Sequence, residues 1–382
     1  MFDNVDLKFL RDKAWLKWGR YSEDMISLSV ADIDFPPPKE IIDEISATLK
    51  NPPSPYNDYI GEHRLIQAII KKLKEKNKIK AKEEDILVIP GSMFAIFLAC
   101  YITIKPGDEV IICPAPVYGP FIKNIKNSGG IPVFIELKRE KEYKLDINEL
   151  KDKINHRTKL IMICNPHNPT GRLLTRDELL SIGKLAVEKG LIIFSDELYE
   201  DMIYEGRHTS IASLSEDIFN HTLSCFGFSK AFGIAGFRIA YLLGRGRLMQ
   251  EIKDRFHYMM VHTDTLAQAA GFAALKYGKN WLTKFIPHLK KMRDFGYNRL
   301  KDILREEFFK PQATPFFFPY IGHFGLSSLK FADFLKQKAK VVVNSGEMFG
   351  PGGEGFIRIN FATSFSILNE AFLRIEKAIK SL

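Results

Sequence analysis

The chain has 382 residues, of which 46% are hydrophobic and 26% charged. That balance excludes a disordered polymer and fills about two or three domains of ordinary size. Its formal charge of +9 comes from 55 Lys and Arg against 46 Asp and Glu and is spread along the chain, so no nucleic-acid surface is expected; the longest apolar run, Met93 to Ile104, is too short to span a bilayer.

The N-terminal stretch MFDNVDLKFLRDK is charged from residue 3 and has no apolar core of signal-peptide length. DFPPPKEIIDEI sets three prolines at the start of a helix, where missing N–H groups cost least. Lys71 to Asp85, KKLKEKNKIKAKEED, is the one dense charged block, and its mixed signs read as a solvated helix face. From about residue 84 to 243, short apolar runs alternate with longer amphipathic ones, the pattern of strands crossing over through helices in a mostly parallel sheet. Strands are expected in DILVIP, DEVIICP, IPVFIEL, KLIMICNP, LIIFSDE, TLSCFGF and GFRIAYLLG. Between them, Thr175 to Lys189 spaces Leu179, Ile182, Leu185 and Ala186 onto one helical face. The last hundred residues hold two long charged helices, Trp281 to Phe309 and Phe365 to Leu382, around a few strands including EGFIRINF.

The expected fold class is α/β: a large domain over residues 51–280 with a mostly parallel sheet flanked by helices, and a smaller α+β domain formed by residues 1–50 and 281–382. Cys100, Cys113, Cys164 and Cys225 lie far apart inside apolar segments, which fits free buried thiols in a reducing compartment and points to the cytoplasm.

The segment Leu223 to Gly244, LSCFGFSKAFGIAGFRIAYLLG, is apolar enough to be buried, yet it contains Lys230 and Arg238 and no acid. Buried charges need partners, here either a distant carboxylate or an anionic ligand. Desolvation also lowers the pKa of a lysine and frees its amine to form a Schiff base. The plainer alternative for Lys230 is a snorkelling side chain at a domain surface. Further groups stand at the C-terminal ends of expected strands, where open parallel sheets hold their ligands. VIPGSMFAIF is a strand, a turn and a helix start, so the Ser92 and Met93 N–H groups and the Ser92 hydroxyl suit a phosphate. NPHNPTGR offers the Asn168 amide to a phenolic oxygen. SDELYE puts Asp196 at a strand end with Tyr199 three residues on; the alternative for Asp196 is an ordinary helix cap. Tyr118, in CPAPVYGPF, either stacks on a ligand ring or packs in the core. A lysine, a carboxylate for a ring nitrogen and donors for a phosphate are what a phosphorylated pyridine aldehyde requires.

These residues resemble the fold-type I pyridoxal-phosphate enzymes, in particular the class I/II aminotransferases and their cystathionine β-lyase relatives, over about residues 15 to 375. FSKAFGIAGFRIAY carries the resemblance most strongly, followed by NPHNPTGR, SDELY and PGDEVIICPAPVY. The resemblance implies pyridoxal 5'-phosphate as cofactor and Lys230 as the Schiff-base lysine that also moves the substrate proton. It implies Asp196 on the pyridine nitrogen, Asn168 and Tyr199 on the ring hydroxyl, Tyr118 stacked on the ring, and Ser92, Met93, Ser229 and Arg238 around the phosphate. Arg358 in GEGFIRINF matches the arginine that clamps the substrate α-carboxylate, with Asn168 beside it; its alternative is a surface ion pair. Tyr56 in YNDYIG matches a tyrosine that reaches the phosphate of a neighbouring subunit, which implies a homodimer. The implied substrates are an amino acid and a 2-oxo acid, with no nucleic acid and no membrane.

Gly227 departs from the family, standing where some members have a phosphate-binding hydroxyl. LKW, VADIDFPPP and NPHNPTGR look like the carbon–sulfur β-lyase branch, but Ser29, Tyr199 and Arg238 stand where that branch usually has Trp, His and a non-arginine. The residues around the cofactor are those of an aminotransferase, and transamination is expected, with β-elimination to pyruvate, ammonia and a thiol as the alternative. Phe35, Phe317 and Phe318 are expected near the pocket walls. There is no Walker loop and no HExxH, and His257 with His262 are spaced wrongly for a helical metal pair.

Overall fold

The computed structural model describes residues 2–3, 5–50, 56–139 and 143–382. After a short strand β1 (Ile26–Ser27) come seven strands of one sheet: β2 (Ile86–Ile89), β3 (Glu109–Ala115), β4 (Ile131–Glu136), β5 (Thr158–Cys164), β6 (Ile192–Asp196), β7 (Thr222–Gly227) and β8 (Ala240–Leu243). Their order is β2-β8-β7-β6-β5-β3-β4, and each of the seven predicted apolar runs supplies one of them. All neighbours are parallel except β8, which is antiparallel to both β2 and β7. Val110, Ile112, Leu160 and Met162 face one core, while Ile111, Ile161 and Ile163 face another on the opposite side. That double burial explains why the strands read as continuous rather than alternating apolar runs. The parallel strands all end at one edge, and β8, running the other way, begins there.

The helices follow local signals. Thr175 caps Arg176–Lys189 in a reciprocal pair with Glu178, and Gly190 ends it in the left-handed conformation. The long helix expected from Trp281 runs over Lys279–Leu304 and stops where Arg305 turns through φ 52°; the last helix is Phe365–Ile379. The three prolines precede their helix, which begins at Lys39 with the Ile41 N–H bonded to the Pro38 carbonyl at 3.0 Å. That helix packs along Thr265–Tyr277. Four short strands complete the fold: β9 (Phe316–Phe317), β10 (Val341–Val342), β11 (Asn344–Ser345) and β12 (Ile357–Asn360). β10 pairs in parallel with β1, so the N-terminal and C-terminal stretches share a ladder, and β12 lies antiparallel between β11 and β9.

The lysine block is only partly the solvated face that its composition suggests. Lys74 and Lys78 are exposed, but helical phase turns Lys72 inward, where its Nζ lies 4.1 Å from the centre of the Phe226 ring, bonds the Tyr241 hydroxyl at 2.9 Å and pairs with Glu200. Among the described residues no helix is long and apolar enough to cross a membrane.

Candidate functional site

The site is assembled at the common edge of the strands. After β2 the chain turns through Gly91, at φ 86°, into the helix Ser92–Thr103, whose first N–H groups receive no side-chain cap. Gly91 is required here for two reasons. Its φ is one that L side chains rarely adopt, and a Cβ on it would run into the guanidinium of Arg238. Arg238 stands just before β8 in the left-handed conformation, with Nη1 bonded to the Ala235 carbonyl at 2.9 Å. A helix N-terminus and a guanidinium thus face the same space, an arrangement suited to an anion.

Asp196 ends β6 and is buried, one carboxylate oxygen accepting from the Leu198 N–H at 3.2 Å. Burial raises its pKa from the ordinary 3.8 to about 7, against the pull of that N–H and of Lys230. Three residues on, Tyr199 is buried edge-on to Phe316 with ring centres 5.5 Å apart, and burial raises its phenol well above the usual range. Tyr118, beyond the end of β3, is half-buried and is raised in the same way by burial, with Asp196, Arg358 and Arg238 close enough to act on it.

Arg358, on β12, closes the site from the C-terminal part of the chain. Nη1 donates to Asn168 Oδ1 at 3.1 Å; Nη2 donates to the Ser29 carbonyl at 2.8 Å and to Asn344 Oδ1 at 2.9 Å. The guanidinium carbon lies 4.3 Å from the centre of the Phe316 ring and 4.9 Å from that of Phe349. Nε is buried without a partner. Burial lowers the pKa of this group to about 10, with Tyr199 and Tyr118 opposing. The alternative of a surface ion pair does not hold: Arg358 is buried and has no carboxylate partner among the described residues.

Lys230 follows β7 by three residues, and its Nζ donates to the Ala31 carbonyl at 2.8 Å. Burial holds its pKa below the ordinary lysine range; Asp32 and Asp196 oppose this, and Arg358 and Arg238 add to it. Among the described residues neither Lys230 nor Arg238 forms an ion pair with a carboxylate. Lys230, Arg238, Arg358, Asp196, Asn168, Tyr118 and Tyr199 are therefore brought together, with Ser92 and Met93 at the helix start and buried Ser229 beside Lys230. Tyr56 stands apart, 86% exposed, with its ring edge-on to His262 at 5.7 Å.

Several contributors carried no signal in the sequence. The carbonyls of Ser29 to Asp32 form an N-terminal strap: Arg358 bonds Ser29, Asn360 bonds Val30 and Asp32 at 2.6 and 2.7 Å, Lys230 bonds Ala31, and Lys17 bonds Asp32 at 3.0 Å. Backbone acceptors cannot be read from side-chain identity. LKW and VADIDFP turn out to be partners, since Asp34 pairs with Lys17 at 2.9 Å and accepts from the Trp18 indole at 2.7 Å. The phenylalanines expected near the pocket walls pack on other rings. Phe35 packs on Phe2, Phe285 and His288, Phe317 on Phe361, and Phe318 on Phe356 and on Phe349, itself a neighbour of Arg358. Phe316 and Phe349 lie against Arg358. Gly227 is fixed by packing, because a Cβ there would meet the Leu198 side chain.

Chemically, the site offers an amine whose pKa burial lowers, a carboxylic acid whose pKa burial raises to about 7, and two separate guanidinium groups. The family pattern described as aminotransferase class I and II matches residues 23–374. The chain is similar to an aspartate aminotransferase of Pyrococcus abyssi (strain GE5 / Orsay), 33% identical over 364 residues, covering 94% of this chain and 92% of that protein. It is also similar to cystathionine beta-lyase PatB of Bacillus subtilis (strain 168), 29% identical over 378 residues, covering 95% and 96%. Among solved structures, cystalysin from Treponema denticola, which contains a pyridoxal 5'-phosphate cofactor, matches with a TM-score of 0.93 at 26% identity, covering 100% of this chain and 99% of that one.

Proposed function

The chain belongs to the class I and II aminotransferases and is a pyridoxal-phosphate-dependent transaminase, and from that premise we propose how its own residues divide the work. The observation that carries the assignment is three cations, Lys230, Arg238 and Arg358, gathered at one sheet edge with no paired carboxylate among the described residues. The cofactor fits this arrangement on two counts. The Gly91 turn leaves room for Arg238 over an uncapped helix start, and Arg358 keeps a buried Nε without a partner.

Bound there, pyridoxal phosphate supplies a carbonyl that condenses with amines and a ring that accepts electrons from the substrate α-carbon. The Ser92 and Met93 N–H groups, the Ser92 hydroxyl and Arg238 hold the phosphate, with Ser229 at its side. Asp196 holds a proton on the ring nitrogen, a task for a buried carboxylate that nothing else in the site neutralises. Asn168, whose Oδ1 is taken by Arg358, turns its amide N–H groups to the ring hydroxyl together with Tyr199, and Tyr118 covers the ring face. Arg358 clamps the substrate carboxylate through its planar fork. Lys230 would carry the cofactor, and its Nζ, whose pKa burial lowers, would take the proton from the substrate α-carbon. The amino group of the amino acid then passes to a 2-oxo acid.

Exposed Tyr56 lies beside an apolar surface made of Tyr258, Met259, Met260 and Val261, exposed by 40 to 89%. This supports a homodimer in which Tyr56 serves the partner's phosphate. On the same reading residues 51–280 are the cofactor domain and residues 1–50 with 281–382 the smaller one, an arrangement the β1–β10 pairing supports. The four free, buried cysteines support a cytoplasmic setting.

Incubating the holoenzyme with amino acids and 2-oxoglutarate tests the reaction, and glutamate is the expected product. Stoichiometric pyruvate, ammonia and thiol from cystathionine, without glutamate, would replace it by the β-lyase reading that the joined LKW and VADIDFP motifs favour. Borohydride reduction followed by peptide mapping is expected to leave the cofactor label on Lys230. A label on another lysine overturns the residue assignments.

A further inference from the structure

The lysine block plays no part in the reaction, yet it lines a cavity. This cavity, of about 660 Å³, lies behind the end of β7, between the helices His63–Lys72, Thr265–Tyr277 and Lys279–Leu304. The volume falls within the span of about 300–1,000 Å³ usual for small-molecule pockets. Its walls are apolar, formed by Phe226, Phe228, Phe232, Phe272, Leu275 and Leu282. Five lysines border it, Lys71, Lys72, Lys76, Lys276 and Lys279, against three acids, Glu75, Glu200 and Asp201.

The charges do not cancel. Glu200 and Asp201 are engaged by Lys72 and Lys76, and Asn77 donates to the second Glu200 oxygen at 2.6 Å. Lys71, Lys276 and Lys279 are exposed and have no carboxylate partner among the described residues, leaving Glu75 as the one unengaged acid among the lining residues. Lys276 rests on aromatic rings instead, its Nζ 5.2 Å from the centre of Phe272 and 4.9 Å from that of Tyr277. An apolar chamber under an uncompensated cationic rim is complementary to a molecule with an oily body and one negative head.

We propose that this cavity binds an amphipathic carboxylate of the fatty-acid class, its chain against Phe226, Phe228, Phe232 and Phe272 and its head on Lys276 and Lys279. A neutral chain leaves the rim unmatched, and a small hydrophilic anion leaves the walls wet. The site is separate from the reaction centre although it shares β7, since Phe226 to Phe228 form a wall and Lys230 follows two residues on.

Calorimetric titration of the holoenzyme with dodecanoate, below its micelle concentration and with saturating 2-oxoglutarate present, tests the assignment. Saturable binding is expected, at least tenfold weaker for dodecanol and weaker in high salt. The double variant Lys276→Glu, Lys279→Glu is expected to weaken binding at least tenfold. Thr283→Trp, an exposed wall position pointing a large ring at the opening, is expected to reduce it as well, and both variants should keep wild-type unfolding temperature and transaminase rate. Absence of saturable binding overturns the proposal, as does equal affinity for dodecanol or unchanged affinity in the double variant. Displacement by 2-oxoglutarate assigns the dodecanoate to the substrate site and overturns it too, while leaving the transaminase reading intact.

Discussion

Cations occur in this molecule in two settings. Away from the sheet edge most have an acid, Lys17 with Asp34 at 2.9 Å, Arg172 with Glu178 at 2.7 Å, Arg293 with Glu205 at 2.7 Å and Lys72 with Glu200, while buried Lys253 donates to the Glu84 carbonyl at 2.6 Å. At the sheet edge Lys230, Arg238 and Arg358 have carbonyls, amides and rings as neighbours and no carboxylate within ion-pair distance among the described residues. The paired cations are internally neutral and hold the fold together. In the second setting, Arg358 is buried and Lys230 half-buried without a carboxylate to neutralise them, while Arg238 is exposed, and a ligand anion would complete the charge balance. Pairing state separates Lys17, Arg172, Arg293 and Lys72 from the cations of the site, with Lys253 the buried exception held by a backbone carbonyl.

Substitution should divide the two sets. The largest effect is expected for Lys230→Ala, about a ten-thousandfold loss of turnover with thermal unfolding no lower than in the unaltered protein, since no ion pair is broken; coupled loss of rate and stability would merge the two groups. Asp196 comes next. In the cofactor-free protein it takes up its proton near pH 7, against 3.8 for the unfolded chain, so between these values the folded form binds more protons and stability falls as pH rises. The fall amounts to at most about 4 kcal/mol at about 1.4 kcal/mol per pH unit, and urea titrations should find it flattened both by Asp196→Asn and by saturating cofactor.

On the structural side, Lys17→Met leaves the Asp34 charge buried without a cation, with only the Trp18 indole donating to it, and should cost about 3 kcal/mol in denaturant unfolding. For Arg358→Lys the stability should hold while kcat/KM falls about a hundredfold, or about 2.7 kcal/mol, because an ammonium cannot reproduce the fork. The smallest effect expected is from Gly91→Ala, which crowds Arg238. Cofactor affinity measured by absorbance titration should fall about tenfold, or about 1.4 kcal/mol.

The parts of this picture that were legible in the sequence are those written in side-chain identity along the chain. Continuous apolar runs such as KLIMIC announce strands buried on both faces, and two cations in an acid-free oily segment announce an anion. Arg238 and Gly91 could be named separately, but their contact joins residues far apart in the chain and depends on an atom glycine lacks. The carbonyls of Ser29 and Ala31, which hold Arg358 and Lys230, belong to the backbone and are the same for any residue. Composition also misjudged Lys72, because it treats neighbouring lysines as equivalent while helical phase buries one and exposes the next. Phe316, which lies against Arg358, was not named beside Phe317, since sequence alone does not say which face of a two-residue strand meets the site.

The reversed direction of β8 makes the interval between Lys230 and Arg238 a ruler. Gly227 and Ala240 sit opposite one another in the antiparallel ladder, so residues 228–239 are a closed excursion that leaves the edge, delivers an amine, delivers a guanidinium and returns to a fixed address. Both ends being pinned, lengthening the excursion by one residue would slide one group out of reach of the other or slip the register of a central strand. A hairpin that elsewhere would tolerate insertions is held here to a single length.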